Sequence, residues 1–169
     1  MEKADIYFQE IRSQIGSARR CFNAFQLASK NHSVEAFVHV HHFVVHVANI
    51  DKLLDCSNSQ RRRTVLQGHI NLDSTSLKPL RRLRNHLEHF DERLDKWVEE
   101  FDGHALLDEN FISGTKGFPD RAYLRALDGA VFKFYGETFD LAELLQKIEE
   151  IERQIGAASS RKPQSKETE

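Results

Sequence analysis

Apolar residues Ile6, Ile11, Ile15, Ala18, Phe22, Phe25 and Leu27 recur mostly three or four positions apart, which predicts an amphipathic helix over residues 4–29. Ser33 stands just before Glu35 and Ala36 as an N-cap, so a second helix is expected to run through a Val- and His-rich segment to about Leu54. The polar run "DCSNSQ" breaks it. Residues 60–70 fit a short helix, and Ser76 with Pro79 in the first turn opens another that is expected to reach about Phe101. Residues 102–120 carry glycines, Ser113 and Pro119 without periodicity and read as a long loop. Two β-prone runs flank Asp128-Gly129, a tight-turn pair, and predict a hairpin over about residues 121–137. Asp140 and Glu143 form a capping box, and Leu141, Leu144, Leu145, Ile148, Ile151 and Ile155 define a last helix. Residues 157–169 hold small and charged side chains and are expected to be a disordered tail. The expected fold is therefore all-α, a helical bundle with one small β-hairpin before the last helix, in a single domain over residues 1–156.

Composition changes this picture little. Forty per cent hydrophobic residues, including twelve Phe, suffice for one core in 169 residues, and a net charge of −2 argues against strong overall attraction to nucleic acid. With no apolar signal segment and no membrane-length apolar window, a cytoplasmic location is expected. Cys21 and Cys56 suggest ordinary reduced thiols rather than a disulfide framework.

Candidate chemistry concentrates in "LRRLRNHLEHFDERLDKW", residues 80–97. Asn85 and His89 are four apart and share a helix face, while Arg84 is rotated by about 140° from His89 but has a long side chain. These three groups suit metal-free RNA cleavage. A histidine removes the ribose 2′-hydroxyl proton, the oxygen attacks the adjacent phosphorus, and a guanidinium offsets the charge that develops there. The bare Arg-x4-His spacing is not specific, since Arg81 and His86 share it. Residues 60–85 add Arg61, Arg62, Arg63, Lys78, Arg81 and Arg82 against Asp73 alone, a patch that suits an RNA backbone, a solvated face, or pairing with the acidic residues that follow.

At "RNHLEH" the chain resembles the HEPN superfamily, whose motif is Arg, a polar residue, a few further positions, then His. The resemblance implies an up-and-down α-helical bundle that dimerises, so that two motifs build one composite ribonuclease site, often in toxin–antitoxin or anti-phage systems where a partner protein acts as antitoxin. By position it implies that Arg84 binds phosphate, Asn85 supports the site and His89 transfers protons, with no cofactor. Some members of the superfamily are inactive scaffolds or bind nucleotides.

A second pattern lies in "VEAFVHVHHFVVHVANI", where Glu35, His39, His42, His46 and Asn49 fall within one arc of an otherwise apolar helix; His41 lies off it. The stripe fits a cleft or dimer lining, hydrogen-bonded structural histidines, or metal ligation through His42 and His46 with His39 or Glu35. No metal is favoured. Two alternatives to the ribonuclease thus stay open: a non-catalytic helical module that binds RNA or protein, and a metal-dependent hydrolase built on the stripe. Walker, dinucleotide-glycine and nucleophile-elbow motifs are absent from the sequence.

Overall fold

A computed structural model describes residues 3–70, 74–100, 108–112 and 122–160. Helix α1 (Lys3–Lys30) and helix α2 (Glu35–Leu54) form a long helical hairpin. It is joined through Phe8, Ile11, Ile15, Phe22 and Phe25 of α1 and Val40, Phe43, Val44, Val47 and Ile50 of α2, all buried. Ile6 and Leu27, expected on the apolar face of α1, are instead exposed, because they fall off the arc that meets α2. The turn closes with His32 in the left-handed region at φ 49°, its N–H donating to the Ser29 carbonyl at 3.0 Å. Ser33 accepts the Glu35 N–H at 3.3 Å as α2 begins.

A short 3-10 turn, Cys56–Asn58, leads into helix α3 (Gln60–Gln67), which the Ser59 hydroxyl caps by accepting the Arg62 N–H at 3.2 Å. The single helix expected from Ser76 to Phe101 is two. Helix α4 (Ser74–Glu88) carries Pro79 in its interior rather than its first turn, and helix α5 (Phe90–Glu99) follows after a break at His89. His89 has φ −112° and ψ 35°, outside helical geometry. Its N–H still donates to Asn85 O and its carbonyl still accepts from Arg93, both at 3.1 Å, so the path bends without losing those hydrogen bonds.

The single hairpin proves to be a four-stranded sheet. Strands β1 (Asn110–Phe111), β2 (Arg125–Asp128), β3 (Val131–Phe134) and β4 (Glu137–Asp140) lie in chain order, with β1 parallel to β2 and the other pairs antiparallel. Asp128 pairs with Val131 around Gly129, whose φ of 59° suits a residue without Cβ. A second tight turn at Tyr135-Gly136, with φ 45° and 77°, folds β4 back onto β3. Strand alternation sends Leu127, Phe132, Phe134 and Phe139 into the helical core, while Ala126 joins Ile112, Ala122 and Tyr123 in a smaller cluster.

Asp140 caps helix α6 (Leu141–Ser160), its Oδ1 accepting the N–H groups of Ala142 and Glu143 at 2.9 and 3.0 Å. Leu141, Leu144, Ile148, Ile151 and Ile155 bury one face, and Arg19 of α1 reaches Glu149 and Glu152 at 2.9 and 2.6 Å. The helix passes Gly156 and continues to Ser160, so residues 157–160 of the expected tail are helical; Ala157 and Ala158 are strong helix formers. Residues 161–169, and most of the loop expected over 102–120, lie outside the described residues. Among the described residues no helix is long and apolar enough to cross a membrane.

Candidate functional site

The motif arginine lies at the seam between α2 and α4. Asp51 in the last turn of α2 and Asp55, the residue that caps its C-terminus, face Arg81, Arg84 and Glu88 on α4. Nη1 of Arg84 lies 2.8 Å from Asp51 and 3.3 Å from Asp55, and its Nε lies 3.4 Å from Glu88. Arg81 adds contacts of 3.9 and 3.6 Å to the same two aspartates, and Lys52 meets Glu88 at 2.7 Å. Three cations thus balance three carboxylates. The Asp51 side chain is 0% exposed and that of Arg84 15%. Among the described residues neither Asp51 oxygen has a hydrogen bond of good geometry, so Asp51 is held by charge at close range rather than by a directed bond. Burial pushes its carboxyl above the usual range, against the pull of Arg84 and Arg81. Burial also acts upward on Asp55, yet hydrogen bonds from Ser57 and the Arg84 and Arg81 charges hold it below the usual range. Removing one partner from such a cluster leaves a buried charge uncompensated, which costs about 3–5 kcal/mol.

Asn85 and His89 sit on the outside of the same helical segment. Both are exposed, and the His89 ring is 51% accessible at the α4–α5 break. Its Nδ1 lies 3.0 Å from Glu92 Oε1, one turn into α5. A carboxylate on that nitrogen favours the tautomer with the proton at Nδ1 and leaves Nε2 as the basic nitrogen. The structure therefore gives Arg84 and His89 different partners: the guanidinium is committed to α2, while the imidazole is turned to a carboxylate on α5.

His86, three residues before His89, has the opposite setting. It is buried, with its ring centroid 5.1 Å from Phe134 and 5.7 Å from Phe139, and its Nε2 lies 3.2 Å from Glu137. Burial lowers its pKa from the ordinary histidine value, against the pull of Glu137. Arg82 also binds Glu137, through Nε at 2.7 Å and through Nη2, so this carboxylate ties α4 to the sheet.

The basic residues are dispersed among such contacts. Arg62 donates to the Lys52 and Asp55 carbonyls at 3.1 and 2.7 Å, Arg81 and Arg84 face the aspartates, and Arg82 holds Glu137. Arg61, Arg63 and Lys78 are exposed. The histidine stripe divides as well. His46 donates from Nδ1 to Gln14 Oε1 at 2.8 Å, where Asn49 also donates at 3.3 Å, while Gln14 donates to Glu10 at 2.7 Å. Burial lowers the His46 pKa, with His42 and Arg20 acting the same way. Glu35 and His42 are exposed and His39 half-buried. Among the described residues no three His, Cys, Asp or Glu side chains come together as a metal site.

The pattern along the chain left out three polar residues that share a cavity edge, His41, Glu109 and Arg125. They come from α2, the residue before β1, and β2, and only the completed sheet brings them together; no local signal marks them. Compared with protein-family models, with curated proteins and with solved structures, the chain matches none.

Proposed function

We propose that the chain is a metal-independent endoribonuclease of the HEPN type, in which His89 moves protons at a site completed by a second copy. The observation that supports this most is the exposed His89–Glu92 pair at a helix break, one turn from the exposed amide of Asn85. With its Nδ1 proton directed to Glu92, Nε2 of His89 accepts the 2′-hydroxyl proton of RNA. The 2′-oxygen attacks the adjacent phosphorus, a bond forms between them, and the bond from phosphorus to the 5′-oxygen breaks. A protonated His89 of the second copy returns a proton to that leaving oxygen, giving a cyclic phosphate and a free 5′-hydroxyl. Asn85 donates its amide N–H to a non-bridging phosphate oxygen. Arg84 fixes the helix behind this face, since Asp51, Asp55 and Glu88 already compete for its charge.

That competition also favours a second reading, a non-catalytic helical module that binds RNA or a protein without cutting. Purified protein incubated with mixed RNA, with and without chelator and beside a His89→Ala variant, separates the two. The ribonuclease reading expects chelator-resistant cutting that leaves cyclic phosphate ends and disappears in the variant. Intact RNA, or equal cutting by His89→Ala, would reject it.

A further inference from the structure

Between α2, the α4–α5 junction and the sheet lies a cavity of about 260 Å³. Four aromatic rings wall it: Phe37, Phe90, Phe132 and Phe134. Their mutual packing is edge-on or tilted, with Phe90 6.1 Å and Phe132 5.6 Å from Phe134, and Phe37 turned against Phe111 at 5.5 Å. The rings therefore support one another and leave space between them. The volume lies just under the roughly 300–1,000 Å³ of pockets for drug-sized molecules, so it suits a ligand of one or two rings.

The polar edge determines what kind of ring. Arg125 is the cation there, and its Cζ stands 5.3 Å from the centroid of Phe90. Its charge is already used twice: Nε and Nη2 hold Asp108 at 3.0 and 2.6 Å, and Nη1 meets Glu109 at 3.1 Å. Counting Asp108, which pairs with Arg125 but lies outside the lining, one positive charge meets two negative ones, and the cluster at the edge is negative by one. An incoming anion would have to displace a carboxylate. His41, the other polar edge residue, does not restore positive charge at neutral pH, since burial, His42 and Arg125 all lower its pKa, opposed by Glu109.

Glu109 carries a second, independent observation. It is a non-glycine residue in the left-handed region, at φ 53°, held there by its N–H donating to the Arg125 carbonyl at 2.8 Å. Such a conformation is strained for a residue with a Cβ and persists only where the surroundings fix it. Here it stations a carboxylate, 46% exposed, at the mouth of an aromatic cavity.

We propose that this cavity is a binding site for a small aromatic molecule bearing an N–H donor head, an amine or amidine, with the ring among the phenylalanines and the head on Glu109 and His41. His89 itself does not line the cavity, although its neighbours Leu87 and Phe90 do, and the proposal stands or falls on binding alone.

Val44 and Leu87, which complete the wall, supply methyl reporters. Benzamidine and benzoate have nearly the same shape and opposite charge, so titrating each into the full chain while following those methyl signals by NMR isolates the role of the edge. Benzamidine is expected to shift them saturably and to bind at least fivefold more tightly than benzoate. Glu109→Gln, at a half-exposed position that need not disturb the core, should shrink that preference to within about twofold. Glu109→Gly, which removes the carboxylate and relieves the backbone strain together, should do the same while keeping the fold, checked by circular dichroism. Benzoate binding as tightly as benzamidine, no saturable shift with either probe, or a preference unchanged in both Glu109 variants would overturn the assignment.

Discussion

His86 and His89 stand three residues apart and each meets a glutamate, yet the two pairs do different work. The His86–Glu137 pair is enclosed: two phenylalanine rings flank the imidazole, burial lowers its pKa, and its partner joins a helix to the sheet. The His89–Glu92 pair is open, on a helix break, with its ring about half exposed. Identical functional groups thus become a buried fastening in one place and a solvent-accessible pair in the other, through burial and through what each carboxylate holds besides its histidine. Residue type at a motif position does not assign the role; the partner and the solvent do.

The largest effect that would break this contrast is on catalysis. Under the ribonuclease reading, His89→Ala lowers the cleavage rate by about 10²–10⁴, the usual contribution of a general acid–base. Its thermal stability should stay within about 0.5 kcal/mol of the parent, since the site is exposed. A large loss of stability with little loss of cleavage would place His89 with the structural residues instead. Arg84→Ala should act in the opposite currency, destabilising by about 3–5 kcal/mol because Asp51 and Asp55 lose their closest countercharge. Chemical denaturation checks it, and Arg84→Lys, which keeps the charge but not the fork, should fall between.

Next in size, His86→Ala is expected to cost about 2–3 kcal/mol, through lost packing between Phe134 and Phe139 and a Glu137 that loses one partner. The pair also sets a pH dependence. The folded pKa of His86 lies below its unfolded value, so the unfolded chain binds the proton more readily. The stability it contributes is full above its unfolded pKa, near 6.5, and is lost as pH falls through the lower folded value. His46 and His41, also lowered, add to the same slope. Denaturation midpoints between pH 7.5 and 5.5 should therefore fall in the parent and fall less steeply in His86→Leu. A steeper slope in that variant would contradict the assignment.

Helices α1, α2 and α6 were legible in the chain because each buries one continuous face, and a repeating face writes itself into the spacing of Ile, Phe and Leu. The break at His89 was not, since its apolar neighbours Leu87 and Phe90 keep helical spacing while the backbone departs from helical angles. Spacing predicts one hairpin rather than four strands because Asp128-Gly129 announces a turn, whereas Tyr135-Gly136 puts a bulky residue in the left-handed region, and β1 pairs in parallel across 16 positions of chain, from Asn110 to Ala126. The Arg-x4-His spacing is visible in the chain, but not the surroundings of its arginine. Asp55 lies 29 positions before Arg84, and nothing in either local pattern says that a carboxylate pair on α2 will take up that guanidinium. His46 and Asn49 share an arc that spacing alone makes visible; what they meet, Gln14 of α1, depends on how the helices dock.

The smallest effect gives the most discriminating test of the contrast, because it changes a partner and leaves both histidines in place. Glu92→Gln keeps size and a hydrogen-bonding oxygen but removes the charge that favours the Nδ1-protonated tautomer. If His89 is the proton-transfer residue, cleavage should fall by about three- to tenfold. Stability should hardly change, because an exposed pair of this kind contributes at most about 1 kcal/mol. Glu137→Gln is the matched control on the buried pair. There Arg82 and His86 lose a charged partner at a half-buried position, so the denaturation midpoint should fall while the folded protein keeps its cleavage rate. If the two variants exchanged these signatures, with Glu92→Gln moving stability and Glu137→Gln slowing cleavage by the folded protein, the open and closed histidines would have been assigned the wrong way round.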